Sequence, residues 1–174
     1  CRLLGVAFRK YDDTFLVPSG AATLRWPGAL VVDVVNDAPW YVVFDHHADD
    51  AIFARTTNGG ASWAPARAIF SPRANQFGIG HQIAVVLGGP HQGRLVNAFT
   101  LFHGSGANKK GQELAVTISD DRGATWSEPI TAFKFLPGFV SDPDDGTPLR
   151  TQDILPEIGA GPNGELYLVW QEAS

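Results

Sequence analysis

The chain has 174 residues and sets 13 Lys+Arg against 18 Asp+Glu, a formal net charge of −5. That balance excludes the dense basic stripe of a dedicated nucleic-acid surface. Apolar residues at 44% suffice for a core, charged residues at 18% are too few for a disordered chain, and no run reaches the ~18–20 apolar residues of a membrane helix. With 19 Gly, 12 Pro, 11 Phe and 5 Trp, the composition predicts many short strands joined by tight turns, an all-β fold. Cys1 reads either as the lipid-bearing first residue of a mature lipoprotein or as the point where the sequence happens to begin. A single cysteine cannot form an internal disulfide.

Helical periodicity is nearly absent, and alternating or wholly apolar runs closed by Gly, Pro, Asn or Asp recur instead. Residues 1–27 stay unassigned, as a lead-in or a preceding unit. Leu30–Val35, Trp40–Phe44, Ala51–Thr56 and Ala66–Phe70 read as four strands of an up-and-down meander within 28–70. The same order returns within 71–135 as His81–Leu87, Leu95–Phe102, Glu113–Ile118 and Pro129–Phe135. Within 136–174 a third copy supplies two strands, Leu155–Gly159 and Leu166–Trp170, before the sequence stops.

The third turn of each full unit carries a short motif. Thr57-Asn58-Gly59-Gly60-Ala61-Ser62-Trp63 aligns with Asp120-Asp121-Arg122-Gly123-Ala124-Thr125-Trp126, and the two tryptophans lie 63 residues apart. That spacing suits one four-stranded unit, and such units repeated radially make a β-propeller. Ser119-Asp120-Asp121-Arg122-Gly123-Ala124-Thr125-Trp126 matches the Asp-box, or BNR, pattern Ser-x-Asp-x-Gly-x-Thr-Trp at Ser119, Asp121, Gly123, Thr125 and Trp126. The earlier copy is looser, with Asn58 for Asp and Ser62 for Thr beside Gly60 and Trp63. The chain therefore resembles the sialidase-like superfamily of Asp-box propellers over roughly residues 28–174. Arg150-Thr151-Gln152-Asp153-Ile154-Leu155-Pro156, followed by Gly164–Gln171, looks like a blade opening in secreted members.

The physics of the motif is structural. Its Asp accepts hydrogen bonds from turn N–H groups, Gly supplies a positive φ, and Trp covers the base of the hairpin. The resemblance puts this hairpin on the rim and the substrate pocket on the opposite face. Projected on the chain, that face carries Asp45–Asp50, Ser71–Gly80, His103–Gln112 and Leu136–Asp153. The expected ligand-binding residues are Arg73, His81, His103, Arg150 and Asp153, with Asp153, Arg150 and Asp45 as the candidates for catalysis. Arg holds a carboxylate through a bidentate fork and Asp can serve as a general acid. Polar loops on any soluble protein, or a local ion pair between Arg150 and Asp153, explain the same residues without a ligand.

No metal or other cofactor is expected. Adjacent His46 and His47 point opposite ways on an extended chain. Asp142-Pro143-Asp144-Asp145-Gly146 suits a plain acidic turn better than a calcium loop, because its Gly comes one residue early.

Members that hydrolyse sialosides use an arginine cluster, a Tyr–Glu nucleophile pair and an Asp acid/base, and an Arg-Ile-Pro opens one blade. Here that place reads Ile154-Leu155-Pro156, and Tyr41 and Tyr167 fall inside expected strands, where packing is the default role. Three readings stand: a propeller that binds glycans without hydrolysing them, an exo-glycosidase of sialidase type with further catalytic residues elsewhere, and a protein-interaction scaffold. The resemblance implies an extracellular, cell-surface or periplasmic location, with a glycan ligand and the remaining blades of the same chain as partners. An open last sheet is expected to make the isolated segment self-associate.

Overall fold

The computed structural model describes residues 2–3, 6–7, 30–32, 40–44, 50–58, 61–104, 111–135, 141–147 and 155–170. Asp45, His46, His47, Gly60, Arg150 and Asp153 lie outside them. Two short strands, β1 (Arg2–Leu3) and β2 (Val6–Ala7), pair within the unassigned lead-in. The first four-stranded sheet joins β3 (Leu30–Val32), β4 (Trp40–Phe44), β5 (Ala51–Thr56) and β6 (Arg67–Phe70) in sequence order. The second joins β7 (Gln76–Val85), β8 (Leu95–His103), β9 (Gly111–Ser119) and β10 (Ile130–Phe135), and a two-stranded sheet joins β11 (Glu157–Ala160) to β12 (Leu166–Val169). Every pairing is antiparallel. A 3₁₀ turn over Gly89–His91 lies between β7 and β8. The all-β class expected from the composition is present.

Burial explains why the central strand reads as it does. Eight of the nine residues of β8, Leu95 to Phe102, are buried, so both of its faces are covered and its run is nearly continuous in apolar side chains. One face of the second sheet contributes Ile83, Val85, Leu95, Phe99, Leu101 and Ala115 to a core shared with Val43, Ala51, Phe53, Ile69 and Phe70 of the first. β7 lies against β3 and β4 on one side and against β11 on the other, so the three sheets stack in chain order. Fully buried side chains such as Phe53 and Phe99 each contribute roughly 1.5–3 kcal/mol of hydrophobic free energy.

Two expectations need correction. The stretch Ser71–Gly80, expected as a loop because of its Pro, Asn and glycines, already enters β7 at Gln76. Gly78 and Gly80 sit inside that strand, and its register shifts between Ile79 and Gln82 with Gly80 at φ 73°. The glycines mark a bulge and not a loop. Likewise β8 runs on to His103 and β9 starts at Gly111, which shortens the expected loop between them. Tyr167 lies in β12, inside a strand as expected.

Candidate functional site

The hairpin turns after β5 and β9 are built on the same plan. Asp121 Oδ1 accepts from Ser119 Oγ at 2.8 Å and from the Thr125 amide at 2.7 Å, while Oδ2 accepts from Thr125 Oγ1 at 2.6 Å. Asn58 Oδ1 accepts from Thr56 Oγ1 at 2.8 Å and from the Ser62 amide at 2.9 Å, and Asn58 Nδ2 donates to Ser62 Oγ at 2.8 Å. Behind each turn, the Ala64 amide bonds Arg55 O and the Ser127 amide bonds Ile118 O, both at 2.8 Å. Partial burial pushes the Asp121 pKa up, but hydrogen bonds from Thr125, Ser119 and Ala124 outweigh it and hold the carboxyl at about 2. Each of these carboxyl and amide oxygens accepts a hydrogen bond from within its own turn.

The second turn also fastens one sheet to the next. Gly123 has φ 80°, and a Cβ there would come within 2.6 Å of Phe53 Cε1. The Trp126 ring meets Phe53 edge-on at 5.4 Å, and its Nε1 donates to Gly123 O at 3.3 Å. Arg55 Nη1 donates to Arg122 O at 2.9 Å. Trp63 of the first turn is partly buried.

Two polar rows cross the face that the second sheet turns to the first. The inner row is His81, Asn97 and Thr117. Asn97 Nδ2 lies 3.1 Å from His81 Nδ1 and donates to Thr117 Oγ1 at 3.1 Å. His81 is 3% exposed and its ring stacks on Phe99 at 4.3 Å, with Phe70 beside both rings. Gly78 makes room for it, since a Cβ there would stand 2.8 Å from His81 Nε2. The expectation that His81 reaches a ligand is therefore corrected: the bulge in β7 turns this side chain into the core.

The outer row lies at the end of the sheet, where β7 begins and β8 finishes. Gln76 faces His103 across the β7–β8 ladder, and Glu113 sits one diagonal step away on β9. The Arg73 amide donates to Gln76 Oε1 at 3.3 Å, and Gln76 Nε2 lies 3.2 Å from His103 Nδ1. His103 Nε2 stands 3.2 Å from Glu113 Oε1, with the two side chains 35% and 12% exposed. The Arg73 guanidinium pairs with Glu128 at 3.1 Å, and both side chains are largely exposed. Of the expected ligand residues, Arg73 and His103 are thus brought into one neighbourhood. Gln76 was among the polar residues of the expected loop Ser71–Gly80, but its pairing with His103, and that of Glu113, comes only from the strand register.

The acidic turn closes on itself. The Asp144 amide donates to Asp142 Oδ1 and the Thr147 amide to Asp145 Oδ1, each at 2.8 Å. The Thr147 hydroxyl and amide hold the Asp145 pKa below its ordinary value. Among the described residues, no three of His, Cys, Asp and Glu converge as a metal-ligand set. No helix among them is long and apolar enough to cross a membrane.

No family model and no curated protein matches this sequence. Among solved structures, the Hadza microbial sialidase Hz136 is similar over 60% of this chain, with 22% identity and a TM-score of 0.47. The chain spans only 25% of that protein's length.

Proposed function

We propose that this chain is part of a sialidase-like Asp-box propeller that recognises carbohydrate. The observation that carries the reading is the repeated turn. Two octapeptides, 56–63 and 119–126, follow the third strand of successive four-stranded meanders and share one hydrogen-bond plan. In this reading 28–70 and 71–135 are complete blades, 136–174 is an incomplete one, and the protein is exported to the cell surface, the periplasm or the medium.

The ligand face carries the outer row. Arg73 offers a guanidinium whose present partner, Glu128, is exposed and readily displaced by a competing anion or sugar hydroxyl. His103 offers a half-exposed ring fixed on both sides. Asp45, Arg150 and Asp153 belong to neighbouring loops of the same face in this reading.

A glycan array run beside a panel of fluorogenic glycosides led by a sialoside tests the proposal. Binding that falls at least tenfold in Arg73→Ala, without turnover, supports a lectin-like propeller. Turnover lost in Asp153→Ala or Arg150→Ala makes it an exo-glycosidase. Silence in both assays overturns the carbohydrate reading and leaves the protein-interaction scaffold.

A further inference from the structure

We propose that Gln76 and His103 form a proton-operated latch on the turn that carries Arg73. The inference stands on the outer row alone and does not depend on what the face binds. The directions of its hydrogen bonds follow from the ends of the chain of contacts. A backbone amide can only donate, so the Arg73 N–H fixes Oε1 of Gln76 on its own side and turns the NH2 group toward His103 Nδ1. Nδ1 is then the acceptor, which places the proton of neutral His103 on Nε2, where it is donated to Glu113 Oε1.

A second proton can enter this ring only at Nδ1. There it faces the Gln76 NH2 group, donor against donor. Half a turn of the amide brings Oε1 to the new Nδ1–H and sets the NH2 group against the Arg73 N–H instead. The row can satisfy one junction or the other, so protonation of His103 takes the acceptor away from Arg73.

Glu113 Oε1 accepts the Nε2–H in both states. The other charged groups described around the row are Lys134, which stands opposite Glu113 in the β9–β10 ladder, and Arg73 with its partner Glu128. The turn itself stays closed, because the Gln76 amide bonds Arg73 O at 2.9 Å and the Gly104 amide bonds Asn75 O at 2.6 Å. The response is therefore local. It frees the Arg73 amide and loosens the residue whose guanidinium faces solvent, and it leaves the sheet intact.

The test is nitrogen-15 NMR of the whole protein that carries this chain, labelled selectively at histidine and arginine, following the imidazole nitrogens of His103 and the Arg73 amide from mildly alkaline to mildly acidic pH. The expected result is the Nε2–H tautomer in the neutral ring, with an Arg73 amide shift that titrates together with His103. Gln76→Met should abolish the Arg73 response while His103 still titrates, and His103→Gln should make the Arg73 amide insensitive to pH. An Nδ1–H tautomer overturns the latch, as does an Arg73 amide that ignores the His103 titration. A response that persists in Gln76→Met also overturns it. The wild-type readings decide the matter even if a variant fails to fold.

Discussion

The turns that hold Asn58 and Asp121 share two side-chain hydrogen bonds and reverse the direction of a third. At Asp121 the carboxylate is acceptor only, so the Thr125 hydroxyl must donate to it. At Asn58 the amide NH2 donates, so the Ser62 hydroxyl turns and accepts. A hydroxyl serves either way, which is why the position tolerates an exchange of acid for amide. The turn asks for a short planar side chain with two polar ends, and charge is incidental to its shape. Charge decides only how the turn answers to acid.

The turns differ next in what they dock on, and the largest expected effect lies there. Phe53 is 1% exposed and forms the pad beneath Gly123 and Trp126. Phe53→Ala should cost about 3–5 kcal/mol in urea denaturation, since it removes a fully buried ring from the core shared by two sheets. Gly123→Ala should cost about 2–3 kcal/mol, from a Cβ pressed on Phe53 and a left-handed backbone that glycine alone adopts freely. Combined, the two should cost less than their sum, because truncating Phe53 opens space for the new methyl group. Strict additivity would mean that Gly123 is constrained by its φ alone and that the turn does not bear on the neighbouring sheet.

The polarity difference is sharpened by exchanging the two residues. Asp121→Ala should lose about 1–2 kcal/mol, having removed the acceptor of three hydrogen bonds in the turn. Asp121→Asn should stay within about 1 kcal/mol of wild type, with the Thr125 hydroxyl rotating as Ser62 does. Acid separates them further. The folded pKa of Asp121, about 2, lies below the ordinary 3.8. Its contribution is therefore complete above that ordinary value and is lost as pH falls from there toward 2. Solvent screening at this exposed group keeps the loss to about 1 kcal/mol. Asp121→Asn should flatten that part of the stability–pH curve, and Asn58→Asp should steepen it. An Asp121→Asn protein with the wild-type acid profile would assign the titration to other carboxyls.

The strand repeat and both turns were legible in the sequence because they rest on local chemistry. A polar side chain, a glycine and a tryptophan at fixed offsets announce a hairpin wherever it ends up. The strand at Leu95–Phe102 was legible for a similar reason, as a largely apolar run closed by turn residues. The candidate site was legible only in pieces. Arg73 and His103 stood out by residue type, but Gln76 and Glu113 become partners only through the β7–β8–β9 register, which no local signal carries. His81 misled because the bulge at Gly80 shifts the strand and reverses the side on which the histidine falls. The glycines that looked like a loop were the reason the ring is buried.

The smallest effect concerns a feature that the second turn has and the first lacks. Arg94 closes a two-pronged contact on Asp120, at 2.6 Å from Nε and 3.1 Å from Nη2, and Thr57 takes the place of Asp120 in the first turn. The arginine side chain is 24% exposed, whereas Arg73 and Glu128 are 78% and 83% exposed in their own pair. Geometry and partial burial should make the first pair the stronger. Arg94→Met, which keeps much of the apolar stem, should cost about 0.5–1 kcal/mol at low salt and less at high salt. Arg73→Met should fall within about 0.3 kcal/mol of wild type under both conditions. Denaturation of the two variants side by side at both salt levels checks the order. Equal costs would show that the fork on Asp120 adds nothing to the second turn.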